Sequence, residues 1–523
     1  SYYEAPTPLA SCQKRILFAT PDGYLRAVDA ATGRPCADFG ANGAADLRAG
    51  MAGQLPASRF KVEAVPSSPP AIINGVAVVG QTVSDLASLD APSGVIRGFD
   101  ARTGALKWAW NAGQPDRLVN GQAAAGYAPA TPNAWAPMSG DPALGLVYVP
   151  LGNSPPDYYG GMRPRELDRF TTAIVALDVA TGQLRWSFQT VHHDLWDYDL
   201  AAQPVVADLP GAKGATQALL VPTKLGQIFV LDRRTGKPVD AVVERPVPQG
   251  GVPGERVAPT QPYTTGFPSL SGPPLTERQM WGITPLDQLW CRIQFRRADY
   301  RGAFTPVTTR NTIMYPGTAG GINWGSVSID TGRGLMIVNT LRFANFGRLV
   351  PRAAMAGANF GGKEGTAVFE QKGTPYVFAQ TTFMSPLGVP CQQPPYGTIH
   401  GIDLASRKLV WSKSFGTSAR AGPFNIPTLL PIRMGVPNMG GSVVTAGGVA
   451  FIGAAQDRKL RAYDTASGRE LWSADLPAVA AATPMSYVAP RSGRQFVVIA
   501  AGGHYGIPGP QAGAILAYAL PGK

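Results

Sequence analysis

One phrase recurs along this chain and limits what it can fold into. It reads "LRAVDAATGRP" (25–35), "IRGFDARTGALKW" (96–108), "IVALDVATGQLRW" (174–186), "IFVLDRRTGKP" (228–238), "IHGIDLASRKLVW" (399–411) and "LRAYDTASGRELW" (460–472). A weaker copy, "VSIDTGRGLMIV", spans 327–338, and the chain stops inside what reads as the start of another, "ILAYALPGK". Each copy predicts an alternating apolar strand that ends at Asp, a D-x-x-[TS]-G turn, and a return strand that often carries Trp. Glycine supplies the positive φ such a turn requires, and the aspartate accepts bonds from its amides.

The aspartates of these copies, Asp29, Asp100, Asp178, Asp232, Asp330, Asp403 and Asp464, lie 54 to 98 residues apart. That interval holds about four short strands with loops, and units of this kind stack radially as propeller blades. A solenoid is the structural alternative, but the unequal spacing favours a disc with loops of unequal length. No amphipathic run of helical length stands out. With Gly 62 and Pro 49 in 523 residues, turns are abundant. The widest interval holds a Pro/Gly-rich excursion at about 240–320, including "RPVPQGGVPGERVAPTQPYTTGFPSLSGPP" (245–274). A loop of that length on a rigid scaffold shapes a pocket. The expectation is one all-β domain over 1–523.

Charge and cysteine content narrow the setting. Charged residues make up 15%, with a net +12, yet no run of Lys/Arg reaches five. Nothing carries a nucleic-acid signature. Four cysteines, Cys12, Cys36, Cys291 and Cys391, form no CxxC. An even count in an exported protein permits two disulfides, Cys12–Cys36 and Cys291–Cys391, with buried free thiols as the alternative. There is no run of ~18 apolar residues, and "SYYEAPTPLASCQ" has no leader pattern, so the chain reads as mature or trimmed.

One stretch concentrates chemistry. Residues 189–199, "QTVHHDLWDYD", hold two of the four histidines and three aspartates. Such carboxylates repel one another unless a cation or hydrogen bonds compensate. The alternative is a solvated acidic loop with a packed Trp196. Adjacent histidines without Cys/His partners argue against zinc; hard oxygen donors suit Ca²⁺ or Mg²⁺.

The blade phrase, "TVHHDLWDYDLAAQP" (190–204), "PTKLGQIFVLDRRTG" (222–236), "SGVIRGFD" (93–100), "WGITPLDQLWCR" (281–292), "AGGHYG" (501–506) and the terminal "LPGK" occur in an order that resembles the quinoprotein dehydrogenases. These use pyrroloquinoline quinone (PQQ) in an eight-bladed β-propeller, and the similar branch is that of membrane-bound glucose, quinate and polyol dehydrogenases. The resemblance implies that Asp197 is the catalytic base and that Lys224 is a cation beside the quinone oxygens. It places Trp135 as the stacking indole and Asn153, Asp197 and Asp85 (with Asp90 as a rival) as metal ligands for Ca²⁺ or Mg²⁺. Asn323, Trp324, Arg97, Gly440 and Gly441 border the cofactor. His504 and His193 fall on the substrate side, while His192 and His193 also shape the Asp197 loop. The expected activity is oxidation of a sugar or cyclic polyol, glucose and quinate or shikimate among them. Electrons would pass to membrane ubiquinone at the periplasmic face of a bacterial inner membrane. The excess of positive charge leans towards anionic quinate.

Departures from the family pattern matter. The branch carries an amino-terminal anchor and further propeller sequence ahead of this start, so the expected chain lacks the first part of its propeller and closes through a removed segment or a partner. Where relatives carry Asp-Asn, this chain reads "SDLAS", Asp85 then Leu86. The adjacent cysteine pair of methanol-oxidising enzymes is absent. The rival readings are a non-catalytic envelope propeller scaffold, which needs no Asp197–Lys224–Trp135 constellation, and a metal-dependent propeller hydrolase.

Overall fold

The recurring phrase folds as expected, and its turn explains why blades form where they do. In the Asp178 copy the carboxylate accepts from the amides of Ala180 and Thr181, both at 3.0 Å. The turns at Asp29, Asp100, Asp232, Asp403 and Asp464 close in the same way. Gly182 ends the turn at φ +76°. A Cβ on Gly182 would stand 2.6 Å from the Trp108 ring of the preceding sheet, and Trp108 Nε1 donates to Val179 O at 2.7 Å. Thus glycine serves both the turn and the docking of a neighbour's indole. Trp186 meets Gly236, and Trp411 meets Gly468, in the same manner.

The computed structural model describes residues 1–7, 12–51, 54, 64–86, 88–117, 119–120, 126–210, 214–355 and 366–520; the closing Pro521–Lys523 of the "LPGK" phrase and Ala87 of "SDLAS" lie outside them. Among the described residues seven antiparallel sheets follow one another along the chain, each with its strands in chain order. Blade 1 comprises Tyr2–Glu4, Lys14–Thr20, Tyr24–Asp29 and Ala44–Asp46; blade 2 is built on Ala71–Ile73, Val76–Val79, Ile96–Asp100 and Leu106–Trp110. Blade 3 holds Ser139–Asp141, Leu146–Pro150, Ala173–Asp178 and Leu184–Gln189, and blade 4 Val205–Leu209, Thr216–Pro222 and Ile228–Asp232. Blade 5 joins Val327–Asp330, Leu335–Leu341, Gly397–Asp403 and Leu409–Ser414. Blade 6 uses Ser442–Val444, Val449–Ile452, Lys459–Asp464 and Glu470–Asp475, and blade 7 Met485–Val488, Gln495–Ala501 and Ala514–Ala519.

First strands of successive sheets pack side by side: blade 2 against 3, 3 against 4, and 5 against 6. Ser139 Oγ donates to Pro204 O at 2.6 Å, and the Ser328 and Ser442 hydroxyls meet at 2.5 Å, across those seams. First strands inside and return strands outside are the layout of a propeller.

Two expectations need correction. The Asp330 and Asp403 copies belong to one blade, because residues 342–396 are inserted between its second and third strands. Those residues complete a further sheet of Thr312–Met314, Asn345–Pro351, Tyr376–Thr382 and Thr366–Phe369. The excursion also contains helix α1, Pro285–Arg297, begun by Thr284 accepting from Asp287 N. Both disulfides, Cys12–Cys36 and Cys291–Cys391, are formed, with Cα–Cα distances of 5.8 and 5.2 Å. The second ties α1 to the chain just beyond the inserted sheet. No described helix is long and apolar enough to cross a membrane.

Candidate active site

The loop after the return strand of blade 3 gives its three aspartates three different tasks. Asp194 is buried and organises the turn, accepting from the amides of Trp196 and Tyr198 and from Thr172 Oγ1, each at 2.8 Å. Asp199 reaches sideways, taking Asn153 N at 2.7 Å and Trp135 Nε1 at 2.8 Å. Asp197 sits at φ +58°, a left-handed conformation that Asp tolerates better than most residues. Its Oδ1 lies 2.8 Å from Lys224 Nζ, which also donates to the Asp197 carbonyl at 2.7 Å.

The excursion and the inserted sheet hold this loop. Trp196 donates to Thr305 O at 2.8 Å and meets Phe304 edge-on at 5.1 Å; Tyr198 OH donates to Pro316 O at 2.8 Å. The two histidines brace it from beneath. His192 bridges Gln189 Oε1 and Glu244 Oε1 at 2.6 and 3.0 Å. His193 is buried, with Nδ1 3.0 Å from Asp168 and Nε2 3.7 Å from Glu255. Both of its ring nitrogens therefore face carboxylates, a position that braces the loop.

Lys224, Trp135 and Asp197 are brought together. The ammonium lies 5.9 Å from the Trp135 ring centroid, and Asp199 fixes that ring by its edge. Gly320 and Gly321 let the next loop run along Lys224: a Cβ on Gly320 would stand 2.4 Å from Lys224 Cβ, and Gly321 N donates to Lys224 O. The same loop continues into Asn323 and Trp324. Trp324 stacks obliquely with His504 at 4.9 Å and donates to Ala481 O at 3.0 Å. Gly325 touches Gly440 and Gly441 so closely that side chains would not fit. Arg97 is buried in blade 2, bonded to Gln81 Oε1 at 2.9 Å and to Leu47 O.

Burial dominates the electrostatics. It pushes the Asp197 carboxyl up to about 7 against the pull of Lys224, with Asp199 adding repulsion. Burial opposes the Lys224 charge, but the Asp197 and Asp199 carboxylates outweigh it and hold the ammonium above the usual lysine range. Asp85, enclosed yet within reach of solvent, is pushed up to about 8 by desolvation and then by Asp199 and Asp197. Asp157 is raised for the same reasons, with Asp85 as its foremost neighbour.

The arrangement offers oxygen donors that would suit a hard cation. Asn133 donates its amide to Asp85 at 2.8 Å, and the buried Oδ1 atoms of Asn133 and Asp157 have no hydrogen-bond partner. Oxygen donors of this kind, crowded with negative charge, suit Ca²⁺ or Mg²⁺. Asn153 is placed otherwise: its Oδ1 accepts from Arg163 and from Ser154 N, and its amide donates to Asp157 O and Asp194 O at 3.2 and 3.1 Å. Asp90 is exposed.

Sequence reasoning missed several participants. Tyr158 OH lies 3.2 Å from Asp197 Oδ2 and 3.3 Å from Gln380 Oε1, sharing its single proton between them. Gln380 in turn donates to Thr318 Oγ1 at 2.9 Å, and the Tyr158 ring stacks on Phe378 at 3.5 Å. The only signal was that Asp157 and Tyr158 lie four and five residues beyond Asn153, already expected at the site.

Comparison with known proteins identifies the family to which this fold belongs. Residues 1–497 match the family model described as PQQ: Glucose/ethanol/alcohol dehydrogenase, beta-propeller domain. The glycerol dehydrogenase large subunit of Gluconobacter oxydans is 46% identical over 98% of this chain and 70% of its own length. The quinoprotein glucose dehydrogenase of Escherichia coli is 41% identical over 100% of the chain and 66% of its own. Quinate/shikimate dehydrogenase (quinone) of Acinetobacter baylyi is 40% identical over 98% and 64%. The crystal structure of quinohemoprotein alcohol dehydrogenase from Comamonas testosteroni superposes with a TM-score of 0.63 at 22% identity, covering 97% of this chain and 66% of that one; it bears on the fold alone. With its sheet-by-sheet architecture and relatives of this similarity, the chain belongs to the PQQ-dependent quinoprotein dehydrogenases.

Proposed function

We propose that this protein oxidises a secondary or anomeric hydroxyl of a polyol or sugar, with Asp197 removing the hydroxyl proton. The observation that carries this reading is the Lys224–Asp197 pair, largely buried, beside the partly exposed Trp135 ring. A carboxyl held near neutrality can both accept a proton and release it at working pH. Tyr158 and Lys224 fix the direction of that carboxylate, and Lys224 presents a cation to negative charge developing above Trp135. Trp135 would hold PQQ by its ring face, and the bound quinone would supply the two-electron acceptor for the carbinol hydrogen. A divalent ion held by Asp85, Asp157 and Asn133, with Asp197 at its edge, would polarise the quinone; Asn153 supports this group from behind by holding the Asp157 and Asp194 carbonyls. Electrons pass on to ubiquinone at the periplasmic membrane face.

The local field argues about the substrate. Five carboxylates, Asp85, Asp157, Asp194, Asp197 and Asp199, act on one another here, and Lys224 is paired. Net charge over the whole surface therefore does not favour anionic quinate; a neutral polyol such as glycerol, or glucose, fits this field better.

The test is titration of the chain with PQQ and Ca²⁺ or Mg²⁺, followed by cofactor reduction with glycerol, glucose and quinate. Stoichiometric binding weakened in Trp135→Ala, and reduction lost in Asp197→Asn with binding kept, are expected. A folded chain that binds no PQQ would leave the scaffold reading in its place.

A further inference from the structure

Two surface segments expose more apolar side chain than folding accounts for. The first is the strap 423–433, "PFNIPTLLPIR", between blades 5 and 6. Phe424, Ile426, Leu429, Leu430 and Ile432 are each 57% to 82% exposed. The exposure is built into the strap. Thr428 Oγ1 donates to Ser418 O at 2.7 Å, Ser418 Oγ to Leu430 O at 2.8 Å, and Leu429 N to Ala419 O at 3.0 Å. Phe424 and Leu429 are also held at φ +54° and +60°, where bulky residues seldom rest.

The second is the outer face of α1. Leu286, Leu289 and Ile293 fall three and four residues apart, on one face, at 40% to 79% exposure, while Asp287 and Cys291 are buried on the other. The two segments are coupled. Cys291 bonds Cys391, and the turn leading to Cys391 runs under the strap, where a Cβ on Gly388 would lie 2.8 Å from Phe424 N.

Charge follows the apolar groups. Residues 404–456 contain five Lys/Arg and no Asp or Glu. Next to Ile432, a cleft is lined by Lys413, Arg433 and Arg469, while its buried Arg461 is already paired with Asp457 and faces Glu470. Helix α1 ends in Arg296 and Arg297; Arg296 and Arg292 share the single carboxylate of Glu277. The complementary partner must be apolar and anionic together, as at the lipid–water boundary of an acidic bilayer.

We propose that the strap 423–433 and the outer face of α1 form one docking surface for an anionic lipid bilayer, turning that side of the protein towards the membrane. This inference is independent of the reaction proposed above. The full chain would be sedimented with phosphatidylcholine vesicles, with and without phosphatidylglycerol. The same would be done for Leu429→Ser/Leu430→Ser and Leu286→Ser/Leu289→Ser, with thermal unfolding as a check on the fold. Binding that needs phosphatidylglycerol, falls with salt, and drops about tenfold or more in each variant is expected. With all four native cysteines bonded, a label on Leu429→Cys is unique, and its emission shifts blue on vesicles. Three results would overturn the proposal: wild-type protein that ignores the acidic vesicles, variants that bind as well as wild type, or a label whose emission stays unchanged. Self-association abolished by the same variants, without vesicle binding, would assign the surface to a second copy instead.

Discussion

The carboxylate cluster predicts that this protein loses stability as pH rises through neutrality, and that a divalent ion restores it. Asp85 is held at about 8 in the folded state, against about 4 for an unfolded chain. Between pH 6 and 8 the folded protein keeps close to one proton that the unfolded chain has released. Stability therefore falls with pH in that window, by at most about 1.4 kcal/mol per pH unit for one proton. Solvent access at Asp85 discounts this to roughly 1–2 kcal/mol over the window. For a chain of this length that is a melting-point drop of only about 1–2 °C. Bound Ca²⁺ supplies the missing positive charge, and saturation at a hundred times its dissociation constant adds about 2.7 kcal/mol. The assay is thermal unfolding at pH 6 and pH 8, in chelator and in Ca²⁺. Asp85→Asn should flatten the pH slope in chelator and diminish the Ca²⁺ gain. An Asp85→Asn protein with the wild-type slope and the wild-type Ca²⁺ response would refute the reasoning.

Other perturbations follow from the same contacts. In the loaded enzyme the acid limb of the rate should rise with pH through about 7, where Asp197 loses its proton, and move to lower pH when more divalent ion is bound; a limb indifferent to the ion would place another group there. Lys224→Met leaves the buried Asp197 unpaired and should cut kcat by ~10²-fold or more, read in the steady state. Gly320→Ala, at φ +71° and against the Lys224 stem, should show the same loss without altering the lysine itself. Gly182→Ala should cost roughly 2 kcal/mol of stability, read in thermal unfolding, from the left-handed backbone and the Trp108 clash, with kcat unchanged.

What was legible in the sequence was local. Each Asp-turn closes within five residues, so its pattern survives on the page and the blades follow from it. The site residues came from resemblance, and Asp197, Lys224 and Trp135 do meet. Tyr158 and Gln380 were invisible because they lie 222 residues apart and are joined only by the inserted sheet. That insertion also made one blade look like two, since the Asp330 and Asp403 copies are separated as far as true neighbours are. Helix α1 escaped notice because it is apolar on two sides: Leu286, Leu289 and Ile293 face out, while Cys291 is buried and Trp290 packs inward.

The same side chain thus works in two electrostatic regimes. Asp178, Asp403 and Asp464 sit in exposed turns, and hydrogen bonds from Thr181, Ser406 and Ser467 help hold their carboxyls below the usual range. They are charged acceptors that close turns, and Asp178 also pairs with Arg185 at 2.9 Å. Asp85, Asp157 and Asp197 have few donors, little water and one another for company, so the charged form is disfavoured in each. A scaffold has no reason to keep such a cluster, because filling those positions with neutral groups would stabilise it. Their joint presence beside a lysine and a partly exposed indole is what the proposed reaction calls for: a base for the substrate proton and a site where a cation would share the charge.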